Sequence, residues 1–117
     1  MRARFEGELL VRTQVRVVAP DDPDLGPASV DRVLIVDTWH HISARQAYAA
    51  RLAAALRPGG AVVVVDFTAE SPEGPPPEMR LTAEACAAEL ASAGLVPEIV
   101  GESLPYQWVV RATRPAE

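Results

Sequence analysis

The sequence contains a single cysteine and no long apolar run. Cys86 excludes an internal disulfide and a metal site with several cysteine ligands, and we expect it to be a small buried residue. No apolar run reaches the roughly 18–20 residues that a transmembrane helix needs. Residues 1–6 lack the apolar stretch of a signal peptide. These absences predict a cytoplasmic protein that has no membrane partner.

Basic residues are also scarce. The chain has 11 Lys and Arg against 16 Asp and Glu, a formal net charge of −5. An acidic chain without a basic stripe is a poor candidate for binding nucleic acid. Its 117 residues are 49% hydrophobic and 23% charged, which argues against disorder, collagen and coiled coil. This length has room for one domain, so we expect a single domain over residues 1–117.

Two short apolar segments predict central strands of a sheet. Residues 33–36 and 61–65 are continuous and rich in β-branched side chains, as in strands that are buried on both faces. A helix is predicted between them, with Ser43 and Gln46 as a capping box and a stop at Pro-Gly-Gly, residues 58–60. Strand, helix and strand predict a βαβ unit with parallel strands and a right-handed crossover. The predicted inward stripe of this helix comprises Ala44, Ala47, Tyr48, Leu52 and Ala55.

The second half of the chain predicts another helix and two antiparallel strands. Thr82 caps the helix, and Gly94 takes the left-handed conformation at its end, with Leu95 as the hydrophobic partner. Extended segments follow at residues 96–100 and 106–112, and the turn between them is too short for a helical crossover. The inward stripe of this helix comprises Ala83, Cys86, Ala87 and Leu90.

Several consecutive motifs carry a family resemblance. Residues 29–42 contain an aspartate before an apolar run and close with His-His-Ile; residues 52–60 end in Pro-Gly-Gly before the run at 61–67; residues 82–95 end in Ala-Gly-Leu. With the closing antiparallel pair, this order resembles the fourth to seventh strands of class I S-adenosylmethionine-dependent methyltransferases. The resemblance covers residues 14–113. It implies an α/β, Rossmann-like fold whose sheet is mostly parallel, with an antiparallel last strand beside the fifth.

One hallmark of that family is missing from the sequence. Such enzymes begin with a strand that leads into a Gly-x-Gly-x-Gly loop, where the cofactor closely approaches the backbone. No two of the seven glycines here have that spacing, and too little chain precedes Gln14 for two strands and a helix. The sequence therefore resembles the C-terminal part of a methyltransferase, truncated at its N-terminal side.

One flank of the expected sheet lacks its neighbour. In the full family fold the first strand lies against the fourth, and without it residues 33–36 would form an exposed apolar edge, which is an association hazard. Residues 14–18 predict one more strand. We expect this segment or the N-terminal arm to cover the edge, or else a second chain, as a homodimer or as another partner.

Ligands of an open parallel sheet bind at the carboxyl ends of its strands. By resemblance, the turn after the first predicted strand lines the space between S-adenosylmethionine and substrate, with Asp37, Thr38 and Trp39 on the cofactor side. His40 or His41 is then the candidate general base, because an imidazole titrates near neutrality. The alternatives are that one histidine caps the turn while the other is solvated, and that Trp39 is a core residue. Two adjacent histidines have no evident third partner, so no metal is expected.

Other candidates also have structural alternatives. Asp21 or Asp22 follows the third strand, where the family's acidic residue often meets the adenine amino group, but Asp-Asp-Pro is also a common turn, which we favour. Asp66 and Phe67 end the fifth strand and are candidates for substrate binding. The Pro-rich stretch at residues 72–78, predicted to be stiff and extended, would cover them; the alternative is a solvated connection.

Three hypotheses for function follow. The first is methyl transfer from S-adenosylmethionine to a small-molecule acceptor whose reacting atom the sequence leaves open. The second is a non-catalytic, methyltransferase-like partner subunit or binding module. The third is a nucleotide-binding Rossmann fragment of another class, such as a dehydrogenase, which the missing Gly-x-Gly-x-x-Gly motif disfavours.

Overall fold

A computed structural model describes residues 22–101 and 104–116. The strand predicted at residues 14–18 and the candidate Asp21 lie outside this part of the chain. The described part contains the following strands and α-helices in chain order: β1 (Val30–Val36), α1 (Arg45–Ala55), β2 (Leu56–Phe67), α2 (Ala83–Ala91), β3 (Val96–Val100) and β4 (Gln107–Thr113). Two single-turn 3-10 helices, Trp39–His41 and Pro77–Met79, lie in the connections.

The strands form one sheet in the order β1-β2-β4-β3. β1 and β2 are parallel, whereas β4 is antiparallel to both β2 and β3. Therefore β1, β2 and β3 run in one direction and β4 runs in the other. This arrangement confirms the predicted α/β fold, with an antiparallel last strand beside the second central strand.

The core lies between the helices and one face of the sheet. Its largest fully buried side chains are Trp39, Leu52, Leu56, Val62, Val64, Cys86, Leu90 and Val110. The predicted stripe of α2 is confirmed, because Ala83, Cys86 and Leu90 are buried and Ala87 packs against the cluster.

The predicted stripe of α1 is only partly right. Leu52 and Ala55 are buried as expected, and Ala49 is buried with them, but Ala44 and Ala47 are exposed. An alanine-rich helix is apolar on several faces, so alanines fix its rotation weakly. The packing of the one large aliphatic side chain, Leu52, decides which face turns inward.

The two helices begin differently. At α2, Thr82 is the N-cap and its hydroxyl accepts a hydrogen bond from the Ala85 N–H at 3.0 Å, as predicted. The capping box predicted from Ser43 and Gln46 is wrong, because the N-cap of α1 is Ala44 and no side chain caps it. The side chain of Arg45 instead contacts Glu89 and the Ile42 carbonyl at this end of α1.

The end of α2 also agrees with the sequence. Gly94 has a φ of +91°, which favours glycine, and Leu95 is buried directly after it.

The two central strands extend beyond their predicted bounds. Residues 58–60, predicted to follow the helix as a turn, lie within β2, at a register irregularity opposite β1. A Cβ atom on Gly60 would lie 2.8 Å from the Asp31 carbonyl oxygen and 2.9 Å from that of Arg57. Glycine is therefore required here by the close approach of two backbones.

β1 forms one edge of the sheet within the described residues. Leu34 and Val36 pair with Val63 and Val65, and their side chains are 68% and 46% exposed. Whether another segment or chain covers this edge stays a prediction. No helix among the described residues is long and apolar enough to span a bilayer.

Candidate functional site

Polar groups gather at the carboxyl ends of β1 and β2. The chain leaves β1 at Asp37, whose φ of +55° turns the backbone sharply and whose N–H donates to the Val65 carbonyl at 2.7 Å. The Thr38 hydroxyl donates to the Val36 carbonyl at 2.8 Å. Asp37 Oδ1 accepts a hydrogen bond from Gln107 Nε2, also at 2.8 Å. This contact fastens the end of β1 to the start of β4.

A buried histidine–carboxylate pair joins the two central strands. His40 is 8% exposed and Asp66 is 2% exposed. The Nδ1 atom of His40 lies 2.9 Å from both carboxylate oxygens of Asp66. Those oxygens also accept the backbone N–H of His40 at 3.1 Å and that of Phe67 at 2.8 Å. Asp66 therefore holds both the histidine ring and the backbone of the turn that carries it.

The two histidines have different environments. His41 is exposed, and its ring centroid lies 4.1 Å from that of His40. The sequence identified His40 and Asp66 as separate candidates but did not pair them, because they lie 26 residues apart. The sequence did contain a signal for this pairing. His40 follows β1 and Asp66 lies near the end of β2, and the carboxyl ends of adjacent parallel strands meet at the same edge of the sheet.

Trp39 lies in the core. It has no exposed surface, and its Nε1–H donates to Glu89 Oε1 at 2.9 Å. Glu89 Oε2 accepts from Arg45 Nε at 2.8 Å, and Arg45 Nη1 donates to the Ile42 carbonyl at 3.1 Å. In this placement Trp39 has no surface on which a ligand could stack, which agrees with the core alternative. It anchors the turn that carries the two histidines.

Asp22 takes part in a turn. Its Oδ1 accepts the Asp24 N–H at 2.8 Å, and its Oδ2 pairs with Arg51 Nη1 at 3.1 Å. This geometry agrees with the turn alternative rather than with a carboxylate that is free to bind a nucleobase.

The connection after β2 is organised around Arg80. The Pro-rich part, predicted to be extended, instead bends through residues 72–75 and forms the 3-10 helix Pro77–Met79. The guanidinium and Nε groups donate hydrogen bonds of 2.7–3.2 Å to the carbonyls of Thr68, Ala69, Ser71, Glu73 and Pro75. One cation that draws these carbonyls inward explains why the loop is compact. This role of Arg80 was not predicted from the sequence.

This loop packs over the end of β2 and borders a cleft. A Cβ atom on Gly74 would lie 2.7 Å from the Phe67 ring, so glycine lets the loop approach that side chain. The neighbouring cleft has a volume of about 380 Å³ and is lined by Phe67, Ser71, Pro72, Glu73, Pro105, Tyr106 and Gln107. The His40 ring lies 6.2 Å from the Phe67 ring. This volume falls within the range of small-molecule sites.

The thiol of Cys86 has no role at this edge. Burial, with smaller contributions from the carboxylates of Glu89 and Asp66, raises the pKa of Cys86 to about 12. The thiol is therefore protonated at neutral pH and is not nucleophilic. Within residues 22–101 and 104–116, no three His, Cys, Asp or Glu side chains gather as they would around a metal ion.

S-adenosylmethionine needs a backbone cradle as well as polar side chains. The Asp37 carboxylate and the Thr38 hydroxyl are present at the expected edge but already have protein partners. No glycine occurs in the turn between β1 and α1, and the sequence has no Gly-x-Gly-x-Gly. The described residues do not by themselves fit the whole cofactor.

The fold matches solved methyltransferases, whereas no protein-family model and no curated protein matches the sequence. An S-adenosylmethionine-dependent methyltransferase from Aquifex aeolicus has a TM-score of 0.76 and 22% identity, over 86% of this chain and 54% of that one. A putative type 11 methyltransferase from Sulfolobus solfataricus has a TM-score of 0.71 and 20% identity, over 86% of this chain and 58% of that one. The chain therefore has the Rossmann-like fold of these proteins and spans little more than half their length.

A third neighbour carries a different name. The [4+2]-cyclase SpnF has a TM-score of 0.74 and 15% identity, over 99% of this chain and 60% of that one. One fold thus serves proteins named for different reactions, so function has to be argued from the site.

Proposed function

We propose that this chain supplies the acceptor side of an S-adenosylmethionine-dependent methyltransferase that acts on a small molecule. The observation that carries the proposal is the buried His40–Asp66 pair at the carboxyl ends of β1 and β2, next to a cleft of about 380 Å³. In open α/β sheets this edge is where ligands bind. The methyltransferase fold of the neighbours supports methyl transfer as the reaction class.

The residues divide into two groups in this proposal. Asp37 and Thr38 form the wall that faces the methyl donor. His40 and Phe67 face the acceptor, with Asp66 behind the histidine. Methyl transfer from a sulfonium depends mainly on alignment, so a rigid turn between the two ligands is itself a contribution. Of the two histidines we assign the acceptor side to His40, because Asp66 orients it whereas His41 is exposed.

A second candidate is a methyltransferase-like binding module or partner subunit. It is favoured by the missing glycine loop and by the exposed side chains of Leu34 and Val36 along β1. In that role the chain would complete a cofactor site only together with a further segment or a partner chain.

The test is calorimetric titration of the purified chain with S-adenosylhomocysteine, which binds as the product and does not turn over. Saturable binding tighter than about 100 μM, roughly 5.5 kcal/mol, supports the enzyme proposal. An absence of heat from a folded chain contradicts cofactor binding by this chain alone and favours the partner subunit.

The matched variants are Asp37→Ala and Asp31→Ala. Both aspartates belong to the β1 region, but Asp37 follows its carboxyl end and Asp31 lies near its amino end. Loss of a charge-assisted contact at the ligand corresponds to about 1.5–3 kcal/mol, so Asp37→Ala should weaken binding by at least about tenfold. Asp31→Ala should leave it unchanged. Equal effects of the two substitutions would place the ligand elsewhere.

A further inference from the structure

Within the described residues, the edge of β1 that faces away from β2 is open to one more strand. We propose that residues 14–18 of the same chain, which precede the described part, occupy this edge as a strand parallel to β1. The inference goes beyond the proposed function, because it concerns how the sheet is completed rather than which ligand it binds. It makes β1 an internal strand, so a partner subunit has to contact the chain elsewhere.

The backbone of β1 offers hydrogen-bonding groups at this edge. Among the described residues, β1 pairs with β2 alone. The Asp37 N–H donates to the Val65 carbonyl on β2 at 2.7 Å. Because backbone groups point to alternate sides along a strand, those of Val36, Leu34 and Arg32 point away from β2. Groups of this kind on an edge strand are the template on which a further strand pairs.

The chain enters the described part on the face of the sheet that α1 covers. The Ser29 N–H donates to the Ala55 carbonyl at the end of α1, at 2.8 Å. Earlier in the chain, Asp22 Oδ2 accepts a hydrogen bond from Arg51 Nη1 at 3.1 Å, about one helical turn before that end. Residues 22–29 therefore run along α1 toward the amino end of β1.

The path of this connection determines where a preceding parallel strand lies. Crossovers between parallel strands are right-handed, so successive crossovers over the same face of a sheet advance across it in the same direction. α1 carries the chain from β1 to β2 over that face. A strand that leads through residues 22–29 into β1 therefore lies on the side of β1 away from β2, which is the free edge.

The link between this connection and residues 14–18 is short. Three residues separate Val18 from Asp22, so their Cα atoms lie at most about 14 Å apart. Neighbouring strands are about 4.8 Å apart, so a link of this length favours the place next to β1 over one farther out. Residues 22–29 run toward the amino end of β1, so the chain reaches them from the carboxyl end. The segment then ends at the carboxyl edge, as a strand parallel to β1 does.

The sequence of the segment suits such a position. It reads Gln-Val-Arg-Val-Val, with valine at 15 and 17 and polar residues at 14 and 16. This alternation is typical of a strand with one covered face and one open face. β1 has the same asymmetry, because Val33 and Ile35 pack against the core whereas Leu34 is 68% exposed.

A tether favours this segment over a second copy of the chain. A short flexible linker gives a tethered segment an effective concentration in the roughly millimolar range. A second copy at micromolar concentration competes poorly with it for the same backbone groups. The segment of the same chain is therefore the expected occupant, and a second copy is the outcome that the experiment has to exclude.

Amide hydrogen exchange of the full chain, followed by NMR, measures the occupancy of the edge. The amides of Val33 and Ile35 point toward β2 and serve as the internal reference. We expect the outward amides, those of Arg32, Leu34 and Val36, to exchange at least about 100-fold more slowly than in an unstructured chain. Exchange of these three amides at the unstructured rate would show a bare edge and overturn the proposal.

Backbone nuclear Overhauser contacts identify the occupant. We expect contacts between residues 14–18 and residues 32–36, with the amide-to-Hα pattern of parallel strands. Isotope-filtered spectra of a mixed labelled and unlabelled sample detect contacts between two copies. Contacts that arise only between copies, an antiparallel pattern, or a different segment at the edge would each overturn the proposal.

A pair of double variants tests the segment itself. Arg16→Pro/Val17→Pro removes two consecutive N–H groups, so one that faces β1 is lost whichever way the segment is turned. We expect the outward amides of β1 to lose their protection while those of Val33 and Ile35 keep it. Arg2→Pro/Ala3→Pro is the matched control and should change neither set. Equal effects of the two double variants would contradict the proposal, and if the first fails to fold, the Overhauser contacts of the parent chain decide.

Discussion

Each end of the β1–β2 pair has an aspartate paired with a basic side chain, Asp66 with His40 and Asp31 with Arg57, but the two aspartates lie in opposite environments. At the carboxyl end, Asp66 is 2% exposed and accepts hydrogen bonds from the His40 ring and from two backbone N–H groups. At the amino end, Asp31 pairs with Arg57 at 3.1 Å, and the side chains are 69% and 50% exposed. Burial and the number of partners, not residue type, make one end the candidate site.

Backbone hydrogen bonds stabilise the amino end of the β1–β2 pair instead. Gly59 donates its N–H to the Arg114 carbonyl at 2.9 Å, and Arg114 donates its N–H to the Gly60 carbonyl at 2.8 Å. The Arg114 guanidinium also donates to the carbonyls of Ala53 and Leu56, where α1 meets β2. This end therefore specifies how strand and helix join.

The largest expected effect is that of Asp66→Ala at the carboxyl end. Removing the carboxylate leaves the His40 ring and two backbone N–H groups without their acceptor, at a cost of about 1–3 kcal/mol for each donor that stays buried. Guanidinium unfolding followed by circular dichroism measures the change in the free energy of unfolding. A loss below about 1 kcal/mol, the value of an exposed pair, would remove the contrast between the two ends.

Gly60→Ala should have the next largest effect, at the amino end. Its Cβ would press against two backbone carbonyl oxygens that cannot rotate away, and such overpacking costs about 1–3 kcal/mol. The same unfolding measurement applies. Gly26→Ala is the matched control, since nothing lies within 4 Å of its Cβ position. Equal stability of the two variants would show that the backbone around Gly60 shifts to accommodate the added Cβ atom at no cost.

Thr82→Ala compares the two helices that begin on the carboxyl side. Loss of the N-cap bond to Ala85 should lower the free energy of unfolding by about 1 kcal/mol. Ser43→Ala should change nothing measurable, because the N-cap of α1 is Ala44 and no side chain caps that helix. If Ser43→Ala is as destabilising as Thr82→Ala, a cap at α1 contributes after all.

The smallest effect is expected for Asp31→Ala. An ion pair with side chains this exposed contributes about 0–1 kcal/mol to the free energy of unfolding, and salt screens this attraction. The difference in the free energy of unfolding between variant and parent should therefore be below about 1 kcal/mol at low ionic strength and smaller still at high ionic strength. A loss comparable to that of Asp66→Ala would mean that the two ends are energetically alike.

Much of the fold could be predicted because its signals are local. The apolar runs at residues 33–36 and 61–65 fall inside β1 and β2, and Thr82 and Gly94 mark the ends of α2. The rotation of α1 could not be predicted in full, because alanines at several faces contribute similar burial and only packing selects among them.

The candidate site was predictable as a set of positions but not as an arrangement. The edge that holds Asp37, His40 and Asp66 follows from the rule that ligands bind at the carboxyl ends of parallel strands. Trp39 and His40 are neighbours in the sequence, and their residue types do not show that Trp39 lies in the core while His40 contacts Asp66. Their neighbours, Glu89 and Asp66, come from other elements of the chain.

Apolar periodicity, helix caps and glycine turns act over a few residues, so most of the helices and strands and the polar edge of the sheet were predictable from the sequence alone. Three contacts become evident only in the folded chain: Asp66 orients His40, Arg80 organises the loop after β2, and Trp39 is a buried anchor. Those contacts join residues far apart in the chain, and they form only when packing brings the strand ends together and removes water from between them.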